Sequence, residues 1–359
     1  MERKPERSRA GGLKVLEGGA CLVASFPQDE YRLAERVCTP LALNRINLSF
    51  FTHMASDREV LCTASRSGEA AFTLLRTQAG PEADVHLQPG TAILSLYPHD
   101  KRPEIIGNFI LSLAQARVMV HGLGSSPSAI SVVLPSRRVK AAVNRLFDNF
   151  HFPAFSSPQE FFAAQSPPEE LLRQAVASYQ EKVTKVYWIV PQSDLDLWGL
   201  NVSSTDILAG FADALLDLGS LGLQIPFLVA LPGLGGKEFL LSFSTYAPQP
   251  GGERGPEIRG ILKKRLPDLL PIRLTPVASI FLHGPHFGDR FGIARTLTEA
   301  LEKAHITLLA LSCTISTISL VIRQHQLAAA QLVLVQTFAA PVEVPTPAAA
   351  RSGHEHETG

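Results

Sequence analysis

Along most of the chain, short apolar runs rich in Val, Ile and Phe alternate with longer stretches whose apolar residues recur every three or four positions. That alternation is the signature of strands separated by amphipathic helices. The clearest example begins with the apolar run Val277–His283 and continues through a glycine-bearing loop. A helix follows with Ile293, Leu297, Ala300, Leu301 and Ala304 on one face, then strands over Ile306–Leu311 and Thr317–Ile322. An Ala-rich helix near Gln326–Val333 and a short last strand over Leu334–Phe338 complete it. The order is β-α-β-β-α-β, a split βαβ unit whose four-stranded antiparallel sheet carries both helices on one face.

The same pattern occurs earlier. A shift of 188 residues lays Arg102–Phe150 on Arg290–Phe338 without a gap, with 13 of 49 positions identical, Ile105/Ile293, Leu113/Leu301 and Ser131/Ser319 among them. Most of the identities are apolar and at core spacing, so the repeat is one of fold. Two further units read the same way. The first runs from strand Ala20–Phe26 to helix Glu69–Thr77; the other runs from strand Lys185–Val190 to helix Glu257–Leu266. The expected organisation is a tail over residues 1–12, units at 13–84 and 85–152, a linker with a helix at 153–183, units at 184–273 and 274–339, and an Ala/Pro-rich tail at 340–359. The fold class expected is α+β, four tandem ferredoxin-like units paired into side-by-side sheets.

Charge narrows the partners. Lys plus Arg and Asp plus Glu are 33 each, so no global field draws the chain to nucleic acid or an anionic membrane. Cys21, Cys38, Cys62 and Cys313 have no metal-ligand spacing, and three of them lie in apolar runs, which points to a reducing, cytoplasmic setting. No apolar stretch is long enough for a leader or a span. No metal or cofactor is expected: "HGLGSSPS" (His121–Ser128) leads to another strand where a dinucleotide fingerprint needs a helix, and "PGLGGKEF" (Pro232–Phe239) lacks the first glycine and the Ser/Thr of a phosphate loop.

The run from Ile280 to Leu334 resembles an ACT domain, specifically the regulatory units of aspartokinases. Gly292-Ile293-Ala294, Ala300-Leu301, Ile306, Ser312 and Ile318-Ser319-Leu320-Val321-Ile322 carry the resemblance. It extends to Thr91–Phe150 through the repeat, and more weakly to the other two units. It implies an amino-acid-binding regulatory module, with the effector held between the loop after the first strand of one unit and the second strand of a neighbour. The candidate ligand residues are His283, Gly284, His286, Phe287, Gly288, Asp289, Arg290, Gly292 and Ile293. Backbone N–H groups at a helix start suit a carboxylate, and Asp289 suits an α-amino group. Alternatively Asp289 is a helix N-cap and the glycines only make a turn. Asp100 and Arg102 mark a second candidate site in a loop that lacks the glycines, Tyr97–Glu104.

Four-unit ACT proteins resemble cytosolic amino-acid sensors, and by that likeness units two and four, and one and three, are expected to pair. With four units and two tails filling the chain, the expectation is a protein without catalytic activity and with no catalytic residue. The partners expected are an amino-acid effector, a partner protein and a second copy of the chain. Two other readings stand beside this one. The chain is a degenerate ACT scaffold that associates without a ligand, or, less favoured, an RNA-binding ferredoxin-like protein using Tyr187, Phe239 and Phe243; it lacks the glycines and the positive charge that such domains use.

Overall fold

The computed structural model describes residues 7–26, 32–55, 58–79, 83–165, 186–202, 207–232, 239–246, 254–284, 290–314 and 316–338. The strands are β1 (Ser8–Arg9), β2 (Gly12–Ser25), β3 (Phe50–Met54), β4 (Arg58–Ala64), β5 (Asp84–Tyr97), β6 (Gly122–Ser125), β7 (Ile130–Pro135), β8 (Phe150–His151), β9 (Trp188–Val202), β10 (Gln224–Pro232), β11 (Phe239–Tyr246), β12 (Ile272–His283), β13 (Leu308–Cys313) and β14 (Thr317–Arg323). A π-helical turn, Ala34–Cys38, runs into α1 (Thr39–Leu43). The other helices are α2 (Ser65–Ala79), α3 (Pro103–Gln115), α4 (Val139–Asn149), α5 (Pro158–Ala164), α6 (Ile207–Gly219), α7 (Gly255–Arg265), α8 (Ile293–Lys303) and α9 (Leu327–Phe338).

Local chemistry sets several boundaries. Pro103 opens α3 in the first turn, where a missing N–H costs nothing. Ser157 caps α5 by accepting from Glu160 N (3.2 Å), and the Glu160 carboxylate reaches back to Ser156 N (2.8 Å), a reciprocal cap.

Twelve strands close into one barrel in the order β10-β11-β9-β12-β14-β13-β3-β4-β2-β5-β7-β6, with β6 returning to β10. Side chains alternate across the sheet. On β3, Phe51 joins the cluster under α1, α2, α8 and α9, whereas Phe50 joins a cluster inside the barrel with Val60, Cys62, Phe227, Val229 and Val321. The other outer cluster lies under α3 to α7 and includes Phe109, Phe147, Phe211 and Trp198. Helices therefore cover the barrel from outside, and the inside is sealed by side chains.

Four long strands build this arrangement. In β2, Gly12–Leu16 pairs with Ile93–Tyr97 of β5, while Gly19–Ser25 pairs with both Asp84–Thr91 of β5 and β4. In β9, Trp188–Gln192 pairs with Ser279–His283 of β12, while Asp196–Val202 pairs with β11. Each ribbon bends midway, at Gly18 (φ 73) and Gly90 (φ 67) in one half and at Asp194 (φ 59) in the other.

This corrects five sequence expectations. Leu334–Phe338 belongs to α9, because the edge strand beside Ser279–His283 comes from Trp188–Gln192 instead. For the same reason the run beginning at Lys185 is not the first strand of the third group; that strand is the second part of β9. Residues 7–12 are no tail, since Ser8–Arg9 pairs in parallel with Phe150–His151 and Gly12 opens β2. The boundaries at 84/85 and 273/274 fall inside β5 and β12. Finally, the expected pairing is replaced. β13 pairs with β3 (Ser312 opposite Thr52) and β6 with β10 (Gly124 opposite Val229), so the fourth group adjoins the first and the second adjoins the third. Each half presents two free edges, and the halves follow one another head to tail in the same sense around the ring, so the last edge of each meets the first edge of the other.

Candidate functional site

The loop after β12 was the leading sequence candidate. At its start His283 Nδ1 lies 3.2 Å from Thr317 Oγ1, its ring is 5.9 Å from that of Trp188, and Gly284 N donates to Ser316 O (3.0 Å). His286, Phe287, Gly288 and Asp289 lie outside the described residues. The chain is described again at Arg290. Gly292, at φ 89, is the N-cap of α8, and its carbonyl accepts from Thr296 N and Thr296 Oγ1 at 3.0 and 3.1 Å. Gly292 thus holds the N-cap position, and a left-handed conformation is one that glycine adopts without strain. Ile293 turns into the core with Leu297 and Leu301. The stretch Arg290–Arg295 faces Cys38, Leu41, Ile46 and Phe51 of the neighbouring group across a cavity of about 20 Å³, room for about one water.

The second loop is closed on its neighbour. His99 is fully buried; its Nε2 lies 2.6 Å from Ser126 O, and Lys101 N donates to Nδ1 at 3.0 Å. Because Nδ1 accepts, Nε2 carries the proton and the ring is neutral. Burial pushes its pKa down to about 4. Ile225 N on β10 then donates to Lys101 O at 2.7 Å, which docks the loop on the adjoining group. Asp100 stays exposed at φ 51, and the Arg102 guanidinium is spent on Glu104 at 2.8 Å. Asp100 and Arg102 are not brought together around a cavity. His99, which the sequence reading passed over, is the residue that organises this loop.

The remaining room along the two seams lies beside the helices. At the β3/β13 seam a cleft of about 250 Å³ is bordered by Leu33, His53, Thr298, Glu302 and Ile306. His53 Nδ1 sits 2.9 Å from Glu59 Oε1, both side chains nearly or fully buried. Glu302 accepts from Ala34 N (2.8 Å) and Glu299 from Thr39 Oγ1 (3.1 Å), which ties the α1 segment to α8 across the seam. Desolvation raises the Glu302 pKa, while the Arg295 hydrogen bond lowers that of Glu299. At the corresponding place on the β6/β10 seam, the end of α3 and the start of α6 border a larger cleft of about 630 Å³.

Among the described residues, no group of three or more His, Cys, Asp or Glu side chains is placed to hold a metal ion, and no helix is long and apolar enough to cross a membrane. The glycines of "HGLGSSPS" lie on β6 and serve sheet packing: a Cβ on Gly122 would meet Val60 at 2.8 Å.

Neither a family model nor a curated protein matches the sequence. Solved structures do. The aspartate kinase of Synechocystis matches over 94% of this chain with a TM-score of 0.73 at 16% identity; the chain spans 58% of that protein's length. The ligand-free regulatory subunit of aspartate kinase from Thermus thermophilus matches 40% of this chain at 18% identity with a TM-score of 0.36. The aspartate kinase of Clostridium acetobutylicum matches 45% at 10% identity, also with a TM-score of 0.36. The exclusion of enzymatic activity drawn from the sequence does not stand, because the structure that matches nearly the whole chain is that of an enzyme. At this identity the likeness shows the fold, a mixed α/β chain with a large antiparallel sheet that resembles aspartate kinase.

Proposed function

We propose that the chain is a regulatory protein of the ACT type, built from four βαββαβ units, which binds an amino-acid effector at the seam between the fourth unit and the first. One observation carries the reading. The residues that follow β12, from Arg290 to Ala294, meet Phe51 on the second strand of the adjoining group, the loop-against-strand placement that the ACT resemblance calls for. Gly292 caps α8 without a side-chain hydrogen bond, and backbone N–H groups at a helix start suit a carboxylate. Calorimetric titration with each of the twenty amino acids tests it. Binding by one of them that is weakened by Gly292→Val supports the reading, and no binding by any at millimolar concentration removes it.

A second reading, a scaffold that associates with a partner protein or a second copy without any ligand, is favoured by the small size of the cavity beside Arg290, about 20 Å³. The same titration separates the two.

A further inference from the structure

We infer that the cleft at the β6/β10 seam is a binding site for a small apolar monoanion, a short-chain carboxylate in chemical class. Its volume, about 630 Å³, lies in the range of roughly 300–1,000 Å³ typical of small-molecule sites. Leu111, Val118, Met119, Leu208 and Phe239 form most of its described wall, and the polar groups are Gln115 and Arg117. Met119 is 60% exposed, an apolar side chain held in water at the mouth of an apolar cleft, which burial under a ligand would relieve.

Charge selects the head group. Arg117 follows α3 with a left-handed backbone (φ 50), and no carboxylate pairs with it among the described residues. The carbonyls of Ala116 and Arg117, where the negative end of the α3 dipole would otherwise oppose an anion, both accept from Arg138 Nη2, at 2.6 and 3.2 Å. Arg137 stands close enough to His121 to help lower its pKa. Among the described residues that line the cleft, the charged side chain is that of Arg117 and none is a carboxylate. The corresponding cleft at the other seam carries Glu302 instead, so the two places share a position in the fold and differ in sign. This inference does not depend on the effector reading for the β3/β13 seam, because different residues carry it.

The chain has three methionines, Met1, Met54 and Met119, so a methyl-¹³C-methionine spectrum reports the cleft directly. Titration with hexanoate is expected to shift the Met119 signal saturably and leave that of Met54 in place. Hexanol is expected to bind at least tenfold more weakly, and hexylamine not to bind. Arg117→Asn, a residue that tolerates the left-handed backbone, is expected to weaken hexanoate at least tenfold while hexanol is unchanged; the unmoved Met54 signal shows that the variant is folded. A Met119 signal that does not respond to hexanoate, that responds equally to hexylamine, or that responds as strongly in Arg117→Asn overturns the inference. Loss of amino-acid binding at the other seam leaves it untouched.

Discussion

Gly124 rests directly on Ser312: a Cβ built on the glycine would lie 2.5 Å from Ser312 Oγ and 2.9 Å from Thr52 Cγ2. Gly124 belongs to one seam of the barrel and Ser312 to the other, so the two walls touch where a side chain is missing. Gly124→Ala is expected to lower stability by about 1–3 kcal/mol through overpacking. Combining it with Ser312→Ala should restore part of that loss, and urea unfolding of the two single variants and the double variant measures the coupling.

The hydroxyls of Thr52, Ser312 and Ser319 form a row across β3, β13 and β14. All three are buried and make no hydrogen bond among the described residues. A buried hydroxyl without a partner costs on the order of 1–3 kcal/mol. Thr52→Val, which keeps the shape and removes the hydroxyl, is therefore expected to raise the urea midpoint; an unchanged or lower midpoint would show that the hydroxyl is satisfied in solution.

Acid should loosen the second loop. His99 folds neutral with its pKa lowered from 6.5 to about 4 by burial, so between those values the unfolded chain binds a proton that the folded chain refuses. Its contribution is fully present above pH 6.5 and is lost as pH falls toward 4, about 3 kcal/mol in all. His99→Gln, which keeps a donor for Ser126 O and an acceptor for Lys101 N, is expected to flatten that part of the stability profile measured by urea titration at successive pH values.

The four cysteines are free and buried. Burial pushes Cys38 and Cys313 up to about 12 and raises Cys62 as well, so the thiolate needed for reaction is scarce. A chromogenic disulfide reagent at pH 8 is expected to label none of them within minutes in the native protein and all four in denaturant. Rapid native labelling would reveal opening of the barrel.

At Gly292 nothing lies within 4 Å of an added Cβ, and φ is 89. Gly292→Ala should therefore cost about 1–2 kcal/mol through backbone strain alone. A larger loss of stability would mean that the loop before α8 packs more tightly than its described part.

The helix α8 was legible in the sequence because its apolar spacing is local: Ile293, Leu297 and Leu301 all turn into one cluster. The second part of β9 was not, because Asp194 and Asp196 gave it the look of a loop. Asp194 sits at the bend, held by Gln324 (2.8 Å), and Asp196 is paired with Arg273 (3.0 Å) on the adjoining strand. Such partners are 130 and 77 residues away, out of reach of any periodicity. The ring order was hidden for the same reason, since the seams join edges that no local pattern relates. At the leading candidate site, sequence located the turn at Gly292 and Ile293, while the buried His99 of the second loop carried no signal beyond a histidine in a proline-bounded turn.

The two bent ribbons have a consequence for how the chain can be cut. A fragment beginning at Thr91 would leave Ile93–Tyr97 without Gly12–Leu16, and one ending at Tyr246 would leave Trp188–Gln192 without Ser279–His283. The first and third quarters hold their own strands, within Gly19–Thr91 and Asp196–Leu274, whereas the second and fourth each take an edge strand from the segment that precedes the first and third, Gly12–Leu16 and Trp188–Gln192. The unit of inheritance that fits the 188-residue repeat is accordingly the half, because a copy of that length carries each leading strand together with the group it completes.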